Sequence, residues 1–287
     1  MGLTKPIEQN LLSYQGTIKY LKYIIRGGKD MMKILFTICG RAGSKGIKNK
    51  NLKEFLGFPL PFYTVSIIDL FIKNNSKKYD CDIVLNTDSH ELIDLFKNKL
   101  KVSVQIVERQ PELGQDNTPK VHVIQNSYSV IKERLKKDYD LIVDLDITSP
   151  LRALSDLETL VEKKINTDAD VVFSVTDSRR NPYFNMVMKS EKGYERVIKS
   201  NFNARQEAPE IFDMNASMYA YDPEFLISGK GIFEGKCDVI KMMDTAVLDI
   251  DHENDFELME VIAKYLFSEN QRMQIIKENI NQIIKKK

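Results

Sequence analysis

Cysteine is scarce in this chain, with three among 287 residues. Cys39, Cys81 and Cys237 are odd in number, far apart and never in CxxC spacing, which argues against a disulfide framework and a zinc site and for a reducing, cytoplasmic compartment. Net charge is equally small. The 42 basic and 41 acidic residues leave no global field of the kind that draws nucleic acid, so any anion site has to be local. No apolar run reaches the roughly 18 residues that suggest a membrane span, and the first residues contain no signal-peptide h-region. His90, His122 and His252 lack HxxxH or other ligand spacing, so each is assigned to capping or surface hydrogen bonding before catalysis.

Hydrophobic residues are plentiful, at 43% of the chain, enough for one substantial core and one main domain. The stretch that organises the chain is Met31 to Leu52, MMKILFTICGRAGSKGIKNKNL. Its KILFTIC reads as a short buried strand ended by Gly40. Arg41, Lys45, Lys48 and Lys50 then follow within ten positions, interleaved with Gly43 and Gly46. Glycines let backbone N–H groups approach a polyphosphate closely, and the cations offset its charge. Two better-known phosphate loops do not fit: GRAGSKG lacks the Walker GxxxxGK[ST], and the glycines are spaced GxxGxxG rather than GxGxxG. An ordinary turn with solvated lysines is the plainer alternative, and the coincidence of glycines and cations directly after a buried strand weighs against it.

Before that stretch, residues 1–30 form an N-terminal extension in which Ile18, Leu21, Ile24 and Ile25 recur at helical spacing. It is read either as a docking helix or as a leader dispensable for chemistry. Residues 31–287 form the main domain. Helices are predicted over Pro61 to Ile72, Glu91 to Leu100 and Val121 to Leu135. Strands are predicted over Cys81 to Asp88, Val102 to Val107 and Asp140 to Asp146. This alternation implies an α/β fold with parallel pairing, whose ligands bind beyond the carboxyl ends of the strands. The opening loop, Asn86 to Asp88 and Asp146 to Arg152 should therefore converge. Strands over Asp170 to Thr176 and Met214 to Tyr221 bracket a β-rich insertion at 177–213. A last strand is predicted over Thr245 to Asp251, and a helical segment at 255–287, whose final lysines read as a solvated end.

Two DxD pairs accompany the loop. Residues two apart in a strand share a face, so Asp144 can act with Asp146 and Asp249 with Asp251. Paired carboxylates beside a phosphate loop suit Mg²⁺, which binds hard oxygens, water and substrate phosphate. Capping is the alternative for Asp249 and Asp251, and satisfaction of backbone groups is the alternative for Asp144.

RAGSKGIKNKN, TSPLR (Thr148 to Arg152), ARQEAP (Ala204 to Pro209), Asn215-Ala216-Ser217 and DIDHENDF, in that order, resemble the acylneuraminate cytidylyltransferases, the CMP-sialic acid synthetase family. NPYFN (Asn181 to Asn185) and DMNAS (Asp213 to Ser217) are similar to its legionaminic acid subgroup. The resemblance implies a Rossmann-like nucleotidyltransferase with a mostly parallel sheet flanked by helices and a β-rich dimerisation insertion. It implies that CTP reacts with a nonulosonic acid, legionaminic or N-acetylneuraminic acid, to give the CMP-sugar and pyrophosphate. Arg41, Ser44, Lys45 and Lys50 would hold the triphosphate, and Asn51 and Arg109 the nucleotide. Asp249 and Asp251 would bind Mg²⁺, with Arg41, Lys45, Lys50 and Asp251 carrying catalysis. Asp146, Thr148, Ser149, Arg205 and Gln206 would face the sugar. The insertion would reach into a partner subunit, giving a homodimer with active sites completed in trans. Many sialic acid synthetases carry glutamine and proline where this chain has Asp146 and Ile147. An ionised carboxylate only accepts hydrogen bonds, so sugar contacts there should differ. Tyr183 and Phe184 stand where some relatives have a lysine, which turns attention for the sugar carboxylate to Arg179, Arg180 or Arg205. A Kdo cytidylyltransferase and a non-catalytic nucleotide-binding regulatory protein are the rival readings. No nucleic-acid or membrane partner is implied.

Overall fold

The computed structural model describes residues 31–43, 46–202 and 204–285, apart from the side chain of Arg205. The helix expected around Ile18 to Ile25, together with Ser44 and Lys45, lies outside the described residues. In chain order the elements begin with β1 (Met32–Gly40), β2 (Glu54–Phe55), β3 (Phe58–Pro59), α1 (Pro61–Asn75), β4 (Tyr79–Thr87) and α2 (His90–Lys99). They continue with β5 (Gln105–Glu108), α3 (Lys120–Leu135), β6 (Leu141–Leu145), α4 (Leu154–Asn166) and β7 (Val171–Asp177). The remainder is β8 (Val187–Ser190), β9 (Gly193–Arg196), β10 (Phe212–Tyr221), α5 (Pro223–Ile227), β11 (Cys237–Lys241), α6 (Glu253–Glu269) and α7 (Gln271–Ile283).

Seven strands form one sheet in the order β11-β7-β10-β6-β1-β4-β5. All neighbours run parallel except β10, which is antiparallel to both β6 and β7. Alternation along β1 divides its apolar residues between the two faces of the sheet. Ile34, Phe36 and Ile38 join a cluster with α1, α4, α6 and α7, whereas Leu35 joins a second cluster with α3 and α5. Pro61 occupies the first turn of α1, and the Ser89 hydroxyl accepts from the Leu92 N–H at the start of α2. These helices begin at the carboxyl ends of β1 and β4, so their N-termini line the same rim as the glycine-rich loop.

Three expectations are corrected. Thr245 to Asp251 is not a strand: Asp244–Val247 forms a 3-10 turn, and the segment then crosses the rim of the sheet. Its contacts explain this, since the Ile250 N–H donates to the Thr148 carbonyl and Lys50 Nζ to the Ile250 carbonyl, leaving no strand ladder to extend. The edge of the sheet is taken instead by β11, five residues paired with β7. The C-terminal helical segment is two helices, because the Asn270 side chain accepts from the Arg272 N–H and starts α7 afresh. Between β7 and β10 the insertion contains a single hairpin, β8–β9.

Candidate functional site

The loop after β1 is fixed from several sides. Arg41 pairs with Asp116, and the Ala42 N–H donates to Asp88 Oδ1 at 2.7 Å. Asn51 Nδ2 donates to the Arg41 carbonyl at 3.1 Å, bracing the loop across its base. Arg109 reaches the end of β4, donating from Nε to Asn86 Oδ1 at 3.0 Å and from Nη2 to the Asn86 carbonyl at 2.9 Å. Burial pulls its guanidinium below the ordinary arginine value. Arg41, Asn51, Asn86 to Asp88 and Arg109 thus converge on one side of the rim, as the α/β pattern requires.

The second side is built on Asp146. Its Oδ1 accepts from the Thr148 N–H at 2.9 Å and the Thr148 hydroxyl at 2.8 Å. Its carbonyl accepts from Arg152 and, at 3.1 Å, from the Thr64 hydroxyl. Arg152 is buried, and also donates to the Ser217 carbonyl at 2.7 Å and the Thr64 hydroxyl at 2.8 Å. Burial lowers its pKa to about 10, leaving it cationic at neutral pH. It therefore ties β6, β10 and α1 together beneath Asp146. Ser149 is buried with its hydroxyl unpartnered among the described residues, beside this group in sequence.

Lys120, the first residue of α3, was not singled out from the sequence. Its Nζ lies 2.7 Å from Asp144 Oδ2 and 2.6 Å from Asp146 Oδ2. Burial disfavours the ammonium, but the two carboxylates outweigh it and hold the lysine well above its usual value. Burial likewise opposes ionisation of Asp146, and Lys120 with the Thr148 donors keeps its carboxyl well below the usual range. Asp144 and Asp146 do act together, through a shared cation. The available signal was positional: a lysine opening a helix after a loop falls on the rim where the strands end.

Asp249 and Asp251 meet this group from the segment that was expected to be a strand. Lys50 Nζ is 3.2 Å from Asp251 Oδ1, and the Asp255 carboxylate accepts from the N–H groups of Asp251 and His252. Burial raises the Asp249 pKa, and the nearby charges of Asp146 and Asp251 raise it further against Thr148 and Lys50. A carboxyl crowded in this way is one that a divalent cation relieves, so the donor set fits Mg²⁺. Among the described residues no three of His, Cys, Asp and Glu are grouped to cage a metal by themselves. Mg²⁺ commonly completes its shell with water and substrate phosphate.

The insertion residues stand apart in sequence. Gln206 is exposed on the 3-10 turn Arg205–Glu207, and the Arg205 side chain lies outside the described residues. Arg179 pairs with Asp244 at 2.7 Å. Tyr183 packs edge-on against Phe202.

Sheet order and rim loops define an α/β fold whose candidate site lies at the carboxyl ends of the parallel strands. Residues 35–279 match the family described as Cytidylyltransferase, and the chain belongs to that family. It is 32% identical over 236 residues to the CMP-N,N'-diacetyllegionaminic acid synthase of Campylobacter jejuni, covering 81% of this chain and 95% of that protein. It is 31% identical over 235 residues to post-translational flagellin modification protein B of Campylobacter coli, covering 82% of this chain and 96% of that protein. An N-acylneuraminate cytidylyltransferase of Streptococcus agalactiae is 28% identical, covering 82% of this chain and 54% of that protein. Among solved structures, a CMP:2-keto-3-deoxy-manno-octonic acid synthetase complexed with CTP superposes with a TM-score of 0.58 at 13% identity, covering 81% of this chain and 99% of that one. At that identity the likeness concerns the fold. No helix among the described residues is long and apolar enough to cross a membrane.

Proposed function

We propose that this cytidylyltransferase couples CTP to a nonulosonic acid, legionaminic or N-acetylneuraminic acid, and releases pyrophosphate. The observation that carries the reading is the joining of the glycine-rich loop to the carboxylate segment through Lys50, Ile250 and Asp251. A phosphate cradle and a cation site then share one rim. The substrate class draws on the names of relatives: a legionaminic acid synthase covered over 95% of its length and an N-acylneuraminate cytidylyltransferase covered over 54%.

In this reading Arg41, Ser44, Lys45 and Lys50 hold the triphosphate, while Asn51 and Arg109 fix the nucleotide. Asp249 and Asp251 would hold Mg²⁺, which supplies charge neutralisation at the phosphates. The anomeric hydroxyl of the sugar attacks the α-phosphorus. One oxygen–phosphorus bond forms, the bond to pyrophosphate breaks, and the hydroxyl proton passes to solvent. Asp146, Thr148 and Ser149 orient the sugar, and Arg205 and Gln206 are assigned to a partner's sugar site. Val187, Met188 and Tyr194 on the β8–β9 hairpin are exposed apolar side chains, which supports a homodimer built through the insertion.

Pyrophosphate release measured with CTP, Mg²⁺ and a panel of sugar acids tests this. Turnover is expected with a nonulosonic acid and is abolished by chelating the metal. Preference for Kdo would replace the substrate assignment. Tight CTP binding with no turnover on any sugar acid would replace the enzyme with a regulatory nucleotide-binding protein.

A further inference from the structure

Lys120 does more than neutralise a buried charge. Asp144 is fully buried, and already receives the Thr37 hydroxyl at 2.7 Å on Oδ1. Lys120 keeps 34% of its side chain exposed and Asp146 keeps 21%. An ammonium carries three N–H donors. Asp146 Oδ2 takes one as a hydrogen bond and Asp144 Oδ2 lies at ion-pair distance, 2.7 Å, so among the described residues at least one N–H is left over. An ionised carboxylate offers about four acceptor positions. Thr148 fills two on Oδ1 and Lys120 one on Oδ2, which leaves one beside the ammonium. Lys120 also lines a cavity of about 340 Å³, together with Tyr219, Tyr221 and Phe225.

We propose that Lys120 and Asp146 form a single recognition unit for the sugar acid, presenting a donor and an acceptor side by side to a sugar hydroxyl or acylamino group. The pair offers what one amide side chain would offer, assembled from two charged residues on α3 and at the end of β6. This rests on the sugar-acid reading above.

The test is steady-state pyrophosphate release by Lys120→Met/Asp144→Asn, in which the cation and the buried charge it balances are removed together. The KM for the sugar acid should rise about tenfold to a hundredfold, the loss of one charge-assisted hydrogen bond. The KM for CTP and the melting temperature should stay near those of the wild type. An unchanged sugar KM would overturn the inference, because Lys120 would then only balance Asp144. An equal rise in both KM values with a lowered melting temperature would also overturn it, marking a structural role. If the double variant does not fold, Lys120→Arg serves: its planar, displaced donors should raise the ratio of sugar KM to CTP KM, and an unchanged ratio overturns the pairing. A wild type silent with every nonulosonic acid overturns the functional reading and this inference with it. An active wild type with an unaffected variant overturns the inference alone.

Discussion

Gly46 has no side chain, and the carbonyl oxygen of Asp251 occupies the place where a Cβ would sit. The obstacle is backbone, which cannot rotate aside. Gly40 differs, since its added Cβ would meet the ends of Leu92 and Ile147, which are flexible. Gly46→Ala should therefore push the loop from the Asp251 segment and cost about 1–3 kcal/mol of stability. The KM for CTP should rise with it, while Gly40→Ala should perturb CTP binding less. Thermal melts with and without CTP check both. At this scale the sequence places Arg41 and Arg109 directly after strands, and Lys50 and Asn51 in the loop that follows β1, all at the rim where the strands end. For Lys120 it carried only a positional signal, one shared by many solvated lysines that open helices. Its meaning comes from Asp144 and Asp146, brought to it only by the fold.

Among the elements, β1, β4, β6 and β7 were legible as apolar runs, and α1, α2 and α3 as helical periodicity. β11 was not, since CDVIK is short, half-exposed and charged at both its second and last positions. TAVLDID reads as a strand, and the common face of Asp249 and Asp251 follows only from that reading, but a short apolar run does not by itself supply a neighbouring ladder. The β8–β9 hairpin is the element with an outcome to check. Among the described residues it pairs only with itself, and Tyr194 is 76% exposed. Val187→Glu/Tyr194→Glu should convert a dimer into a monomer in sedimentation equilibrium and make the melting temperature independent of protein concentration. A wild type that is already monomeric would remove the dimer proposal.

Over the whole molecule, the two clusters on opposite faces of the sheet set which thiols can react. Burial raises the Cys39 thiol far above its usual value and pushes Cys81 up to about 12. Cys237 is exposed, with a thiol raised by partial burial and Asp170. Only thiolate reacts with iodoacetamide. At pH about 8, where an ordinary thiol near pKa 8.5 is partly ionised, Cys237 should label first and the other two only as the protein unfolds. The linkage has a definite sign: the raised folded values mean that the half-buried thiols stabilise fully below the unfolded pKa. That stability is lost as the pH rises through the folded values. Mass spectrometry of labelled peptides along a urea titration would show whether Cys39 and Cys81 become reactive together.

Helix α7 covers α1: the Ser66 hydroxyl donates to the Ile276 carbonyl at 2.6 Å, and Asn279 donates to the Ser66 carbonyl at 3.2 Å. Just beyond the helix, Ile284 bridges to Leu100. An early part of the core is thus closed by residues translated some two hundred positions later. On the ribosome, α1 must wait with its apolar face uncovered until α7 has left the exit tunnel. Chaperone demand during synthesis should then depend on how quickly that last stretch is translated.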